Sequence, residues 1–221
     1  MPTSTVEDYL KAILLAGQGE EGALVSMGQV AGRLKVAPGT VTAMMKTLAD
    51  SGLVAYEPYS GVRLTAAGRQ LATHVLRRHR LIELFLVERV GLDWSEVHAE
   101  AELLEHAVSD RVIERLDELL GHPSVDPHGD PIPTAAGEVE EPQFPNLLGC
   151  PLASPLRVAR VTDQGGDFLR LVERSHLMPG SVLQVESRDE AADTVLLRLD
   201  GGQALALGFR AASKILVEPA A

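Results

Sequence analysis

The sequence predicts a mainly α-helical chain with a small β domain, ordered as a winged helix-turn-helix, a helical region and a small antiparallel barrel. Three observations predict it. Residues 26–65 read as two short helices, a turn and a hairpin. Residues 66–120 carry apolar residues at helical spacing over stretches too long for a single ordinary helix. From about residue 153 the pattern changes to short β-rich runs separated by Gly, Asp and Pro.

Totals set the class. The chain has 221 residues, 45% hydrophobic, enough for more than one domain and too apolar for a disordered tail. No apolar run approaches the roughly 20 residues that span a bilayer. The start "MPTSTVEDYL" has neither the basic nor the apolar region of a signal peptide. One cysteine, Cys150, permits no internal disulfide, which suits a reducing cytoplasm. A soluble, cytoplasmic protein with no membrane association is therefore expected.

The net charge of −11 is uneven. Residues 1–78 hold eight Lys/Arg against six Asp/Glu, residues 79–140 four against fifteen, and residues 141–221 eight against ten. The acidity sits in the middle third, so DNA binding by the slightly basic first third is conditional on what neutralises its neighbour.

Each element has a local reason. In residues 6–16, "VEDYLKAILLA", apolar residues recur at helical spacing, and a loop follows over residues 17–22. Ser26 suits the N-cap of a helix over 27–34, "VAPGT" breaks it, and a second helix runs over 41–50 to Ser51 and Gly52. "GLVAYEPYSGVRLT" makes a two-stranded wing around "PYSG". In this motif the second helix enters the major groove and the wing follows the backbone, so Thr40, Thr42 and Lys46 are expected to contact DNA, with Ser60 and Arg63 reaching phosphates.

A long helix is expected over 66–91, and another over 95–120 after "GLDWS", where Ser95 can cap. Such helices pack on each other or on a second subunit. "HPSVDPHGDPIP" is irregular. The tail runs "LRVARV", "FLRLVE", "SVLQVES", "TVLLRL", "QALALG" and "KILVE" read as strands.

The stretch "HAEAELLEH" carries the chemistry. At about 100° per residue, His98, Glu102, Glu105 and His106 share an arc of about 100° bordering the apolar face. No Lys or Arg falls between Arg89 and Arg111, so no i,i+4 partner neutralises that arc. His79 and Glu83 repeat the theme in "HRLIE", Asp8 lies on the first helix, and "DPHG" adds Asp126 and His128. Any one of these is most simply a solvated group. Together they read as ligands, because crowded carboxylates repel and raise each other's pKa until a cation joins them. Mixed imidazole and carboxylate donors suit Mn(II), Fe(II), Co(II), Ni(II) or Zn(II). A metallohydrolase could use the same donors, but neither an HExxH motif nor another nucleophile motif is visible; a structural dimer is the third reading.

The winged helix, "HRLIELFL", "GLDWSEVHAEAELLEHAVSD" and "HGDPIP" in this order resemble the diphtheria-toxin-repressor family of metal-dependent transcriptional regulators. The resemblance implies a DNA-binding domain over 1–65, a helical metal-binding and dimerisation domain over 66–140, a linker over 141–152 and an SH3-like (FeoA-like) domain over 153–221. It implies a homodimer that binds double-stranded operator DNA and is not an enzyme. Its regulatory site would use Asp8, Glu102, Glu105 and His106. A second site would use His79, Glu83 and His98, as in iron-type members, or Glu83, Asp126 and His128 with an acid of the tail such as Asp163, as in some manganese-type members.

Iron-type members carry Met and Cys where this chain has the harder donors Asp8 and Glu102, which favours Mn(II), with Fe(II) as the alternative. The two-metal manganese members have a glutamate where this chain has Lys11.

Overall fold

The computed structural model describes residues 3–17, 24–140 and 142–220. Most of the loop expected over 17–22 lies outside the described residues. The chain forms two compact units. The first comprises Met1–His79, Glu105–Val108 and Pro133–Val139; the second comprises Arg80–Leu104, Ser109–Ile132 and Glu140–Ala221.

In the first unit, helix α1 (Ser4–Ala16) is capped by Thr3, whose side chain accepts from Val6 N. Helix α2 (Met27–Leu34) begins with a capping box in which Ser26 and Gln29 satisfy each other's backbone donors. Helix α3 (Pro38–Asp50) starts three residues before the expected 41. Pro38 takes the first position, where a missing N–H costs nothing, and Ala37 O accepts from Val41 N. Strands β1 (Val54–Glu57) and β2 (Gly61–Leu64) pair antiparallel as the wing. Their core holds Leu10 and Ile13 of α1 with Val41, Met45 and Leu48 of α3. Helices α1 and α3 are thus one packed body.

Helix α4 (Ala66–Phe85) follows and passes into a π-helical turn, Leu86–Val90, ended by left-handed Gly91. Two helix expectations need correction here. Ser95 lies in a turn ahead of the next helix, where Asp93 Oδ1 accepts from Ser95 N at 2.7 Å and the Asp93 carbonyl accepts from Val97 N, the first residue of that helix. The expected helix over 95–120 is two helices, α5 (Val97–Leu104) and α6 (Asp110–Leu119). Glu105 and His106 lie in the turn between them, so the helical arc drawn through His98, Glu102, Glu105 and His106 does not exist. Ser109, extended at the N-cap of α6, accepts on its carbonyl from Val112 N and Ile113 N.

The tail of the second unit is a five-stranded antiparallel sheet in the order β6-β5-β4-β3-β7, with β3 Leu156–Val161, β4 Val182–Asp189, β5 Thr194–Leu199, β6 Ala204–Gly208 and β7 Ile215–Pro219. The register shifts between Val158 and Arg160 in β3 and between Val185 and Ser187 in β4, the kind of irregularity that bends a strand. "FLRLVE" is not a strand but part of helix α7 (Gly166–Arg174). Leu169 and Val172, three residues apart, are both buried, and that spacing is helical. A four-residue helix, α8 (Phe209–Ala212), precedes β7. Trp94 joins the core of this sheet with Leu147, Val158, Leu169 and Val185.

Candidate metal centres

Within each unit the described residues bring one group of candidate ligands together. In the first unit Asp8 on α1 meets Glu105 and His106, with one donor atom of each within 4.8 Å of the others. Glu105 is fully buried; its Oε1 accepts from Lys11 Nζ at 2.6 Å, and its Oε2 lies 2.5 Å from His79 Nδ1. His106 Nδ1 lies 2.6 Å from Glu7 Oε2. Its Nε2 lies 2.9 Å from Asp8 Oδ1 and 3.3 Å from Glu105 Oε1. Arg78 stands 3.9 Å from the other Glu7 oxygen. Burial disfavours the charged His106 ring, but the Glu7 hydrogen bond and the charges of Glu105, Asp8 and Glu7 outweigh it and hold its pKa above the ordinary histidine value.

Glu7 and Lys11 escape a reading of the sequence. At i,i+4 on an N-terminal helix they look like a solvent-facing ion pair. Both are in fact buried, at 7% and 6% exposure, and each serves a different residue of the turn after α5.

In the second unit Glu83 on α4 meets Asp126 and His128 of the irregular segment, and all three are buried. His128 Nε2 is 3.0 Å from Trp94 O, and because a carbonyl only accepts, this nitrogen carries the proton. Nδ1 lies 3.9 Å from both Glu83 Oε2 and Asp126 Oδ1, and in the neutral ring it is the nitrogen with the lone pair. Both His128 Nδ1 and Asp126 Oδ2 are buried without a hydrogen-bond partner. Such atoms are costly in an interior. A divalent cation would satisfy both, so the donor set fits one.

Asp126 is shaped by its loop. Its Oδ1 accepts from His128 N at 2.8 Å and Asp130 N at 2.9 Å. Left-handed Gly129 lets the turn sit on β3, since a Cβ there would fall 2.1 Å from Ala159 O. Burial, then the charges of Asp130 and Glu83, push the Asp126 carboxyl well above the usual range; Arg80 and the Asp130 backbone N–H oppose this. Asp130 itself is held by Arg160 and by Gln164 Nε2.

The remaining candidates fall as follows. His98 reaches Glu83 Oε1 at 3.1 Å, so Glu83 touches both of the second-site alternatives. His79 faces Glu105, as above. Glu102 is half-buried on α5, 3.6 Å from His98 Nε2. Asp163 joins neither cluster: Lys214 pairs with its carboxylate, and Gly165 N donates to it. The Lys214 hydrogen bond, against a smaller effect of burial, keeps its pKa low, so the tail residue offered as a ligand is committed elsewhere. Gln164, its neighbour, is the side chain that leans towards the loop.

Of the DNA-contact candidates, Thr40, Lys46, Ser60 and Arg63 are exposed. Thr42 is half-buried and donates to Pro38 O at 3.1 Å; Arg63 pairs with Glu57 at 3.2 Å. The wing tip is Tyr59, fully exposed with φ 68.

Family models match three consecutive stretches: an iron-dependent repressor N-terminal DNA-binding domain over 1–62, an iron-dependent repressor metal-binding and dimerisation domain over 65–134, and a FeoA domain over 146–219. The iron-dependent repressor IdeR of Mycobacterium leprae is 31% identical over 97% of this chain and 96% of its own length. A manganese-dependent transcriptional repressor solved in complex with manganese is 40% identical, covering 97% of this chain and all of its own, with a TM-score of 0.87. ScaR with bound Zn(II) is 35% identical over 99% of this chain and all of its own, with a TM-score of 0.77. Among the described residues no helix is long and apolar enough to cross a membrane.

Proposed function

Because the chain belongs to the family of metal-dependent transcriptional repressors, we propose that it is a cytoplasmic, manganese-responsive repressor that binds double-stranded operator DNA as a homodimer. The observation that carries this reading is the meeting of Asp8 with Glu105 and His106, residues about a hundred positions apart in sequence. Asp8 sits on α1, and α1 shares one core with α3. Ligation there fixes the helix on which the DNA-reading element is packed.

Asp8, Glu105 and His106 would hold one ion, and Glu83, Asp126 and His128 a second, with His98 beside Glu83; Glu102 is a further candidate donor. Bound metal supplies a positive charge that these acidic groups lack, and it must couple reciprocally to DNA binding. Seven carboxylate and imidazole donors without a thiolate or thioether make a hard set, which favours Mn(II). Thr40, Thr42 and Lys46 would face the major groove, and Ser60 and Arg63 the phosphates.

The likeness to an iron-dependent repressor supports a second reading, activation by Fe(II). The relatives are repressors, which speaks against a metallohydrolase. A gel-shift titration on operator DNA tests the proposal: affinity should rise with Mn(II) and fall on chelation, and equal affinity under both would refute it. Anaerobic Fe(II) run alongside separates the two metals.

A further inference from the structure

We propose that Lys11 is a tethered cation that competes with the metal for Glu105, and so sets the concentration at which the first-unit site fills. This rests on the reading of Asp8, Glu105 and His106 as ligands. Lys11 Nζ lies 2.6 Å from Glu105 Oε1, with the lysine 6% exposed and the glutamate fully buried. That oxygen is also the one 3.3 Å from His106 Nε2, whose other neighbour is Asp8 Oδ1. The ammonium therefore holds the ligand atom that the ion needs, while His79 holds the second oxygen of the same carboxylate.

Charge makes the competition consequential. The carboxylates of Glu7, Asp8 and Glu105 gather there with the cations Lys11 and Arg78. A divalent ion that reaches Glu105 meets a positive charge already seated on it, in a buried setting where repulsion is only weakly screened. Conversely, when the ion is absent Lys11 protects Glu105 from standing as an isolated buried charge. One residue thus lowers metal affinity and supports the protein that has not yet bound metal. A lysine that only built the fold, or only aimed Glu105, would instead support metal binding.

The two roles differ in the sign of one measurement. Lys11→Met and Lys11→Gln are compared with the parent, all in a His128→Ala background that silences the second cluster. Gln retains a donor to Glu105 and so preserves folding where Met does not. Mn(II) affinity is read by equilibrium dialysis with electron paramagnetic resonance of free Mn(II), and thermal stability is read in chelator. The expected result is affinity tighter by about tenfold or more, worth about 1.4 kcal/mol per tenfold, together with a lower melting temperature in chelator. Affinity unchanged or weaker in the folded variants overturns the role of Lys11 and leaves the site itself standing. A parent that binds no Mn(II) removable by Glu105→Gln overturns the site, and the inference with it.

Discussion

His128 and Trp94 are joined twice: the imidazole Nε2 bonds to the Trp94 carbonyl at 3.0 Å, and the two rings stack with centroids 5.4 Å apart. The bond selects the tautomer that aims Nδ1 at Glu83 and Asp126, which is the role an outer carbonyl plays around a metal ligand. The stacking places the chain's single tryptophan against the candidate ligand.

Trp94 should therefore report on the second-unit site. Paramagnetic Mn(II) is expected to quench its fluorescence saturably, and His128→Ala to abolish the response. Quenching that survives His128→Ala, or that follows only non-specific high concentrations, would remove this cluster from the metal-binding set.

Glu7 should matter to metal binding although it stands outside the ligand set. Its contact with His106 Nδ1 leaves Nε2 as the nitrogen directed at Asp8 and Glu105. Losing such a partner costs about 10- to 100-fold in metal affinity. Glu7→Ala should show that loss by calorimetry, and Glu7→Gln, whose carbonyl oxygen can still accept from Nδ1–H, should recover much of it. Equal affinity in the parent and Glu7→Ala would reduce Glu7 to a packing residue.

Asp126 should stabilise the metal-bound protein at the expense of the metal-free one. Its folded pKa is raised by burial and by Asp130 and Glu83. A raised pKa means that the group's contribution is fully present below the unfolded value of about 3.9 and is lost as pH climbs through the folded value. Above its unfolded value, and without a cation, the buried carboxyl is thus a progressive burden as pH rises. Asp126→Asn keeps the Oδ1 that accepts from His128 N and Asp130 N. It should melt higher than the parent in chelator at pH 7 and lose the gain that Mn(II) gives the parent. A lower melting point in chelator would show that the Arg80 contact at 3.8 Å outweighs the burial of charge.

These residues show what a sequence discloses and what it withholds. The winged helix was legible because Ser26 and Gly52 act through local geometry, and α2 runs over the expected residues; Pro38, expected within the break, is instead the first residue of α3. Asp8, Glu105 and His106 stand out in the sequence as candidate ligands, and their meeting is expected from the family resemblance, not from spacing, which puts Glu105 and His106 on a helix. A periodic pattern continued through Glu105 to 120, whereas Glu105 lies in a turn and meets Lys11 and His79, partners distant in sequence that no local pattern discloses. α7 was misread because Leu169 and Val172 lie in a short run that strand and helix patterns share. Asp163 was offered by position alone, and Lys214, 51 residues later, claims it.

DNA affinity should respond differently to α3 and to the metal cluster. Lys46 is exposed on α3, suited to a phosphate and lacking the planar fork that reads a base pair bidentately. Lys46→Ala should weaken binding to operator and to unrelated DNA by similar factors, and reduce the slope of log affinity against log salt by about one per subunit. Asp8→Ala should instead leave the residual, metal-independent affinity unchanged and remove the increase that Mn(II) brings. Binding measured by fluorescence anisotropy across a salt series, with Mn(II) and with chelator, separates these outcomes. If Lys46→Ala altered only operator binding while the salt slope stayed constant, its contact would lie with a base edge and not with a phosphate.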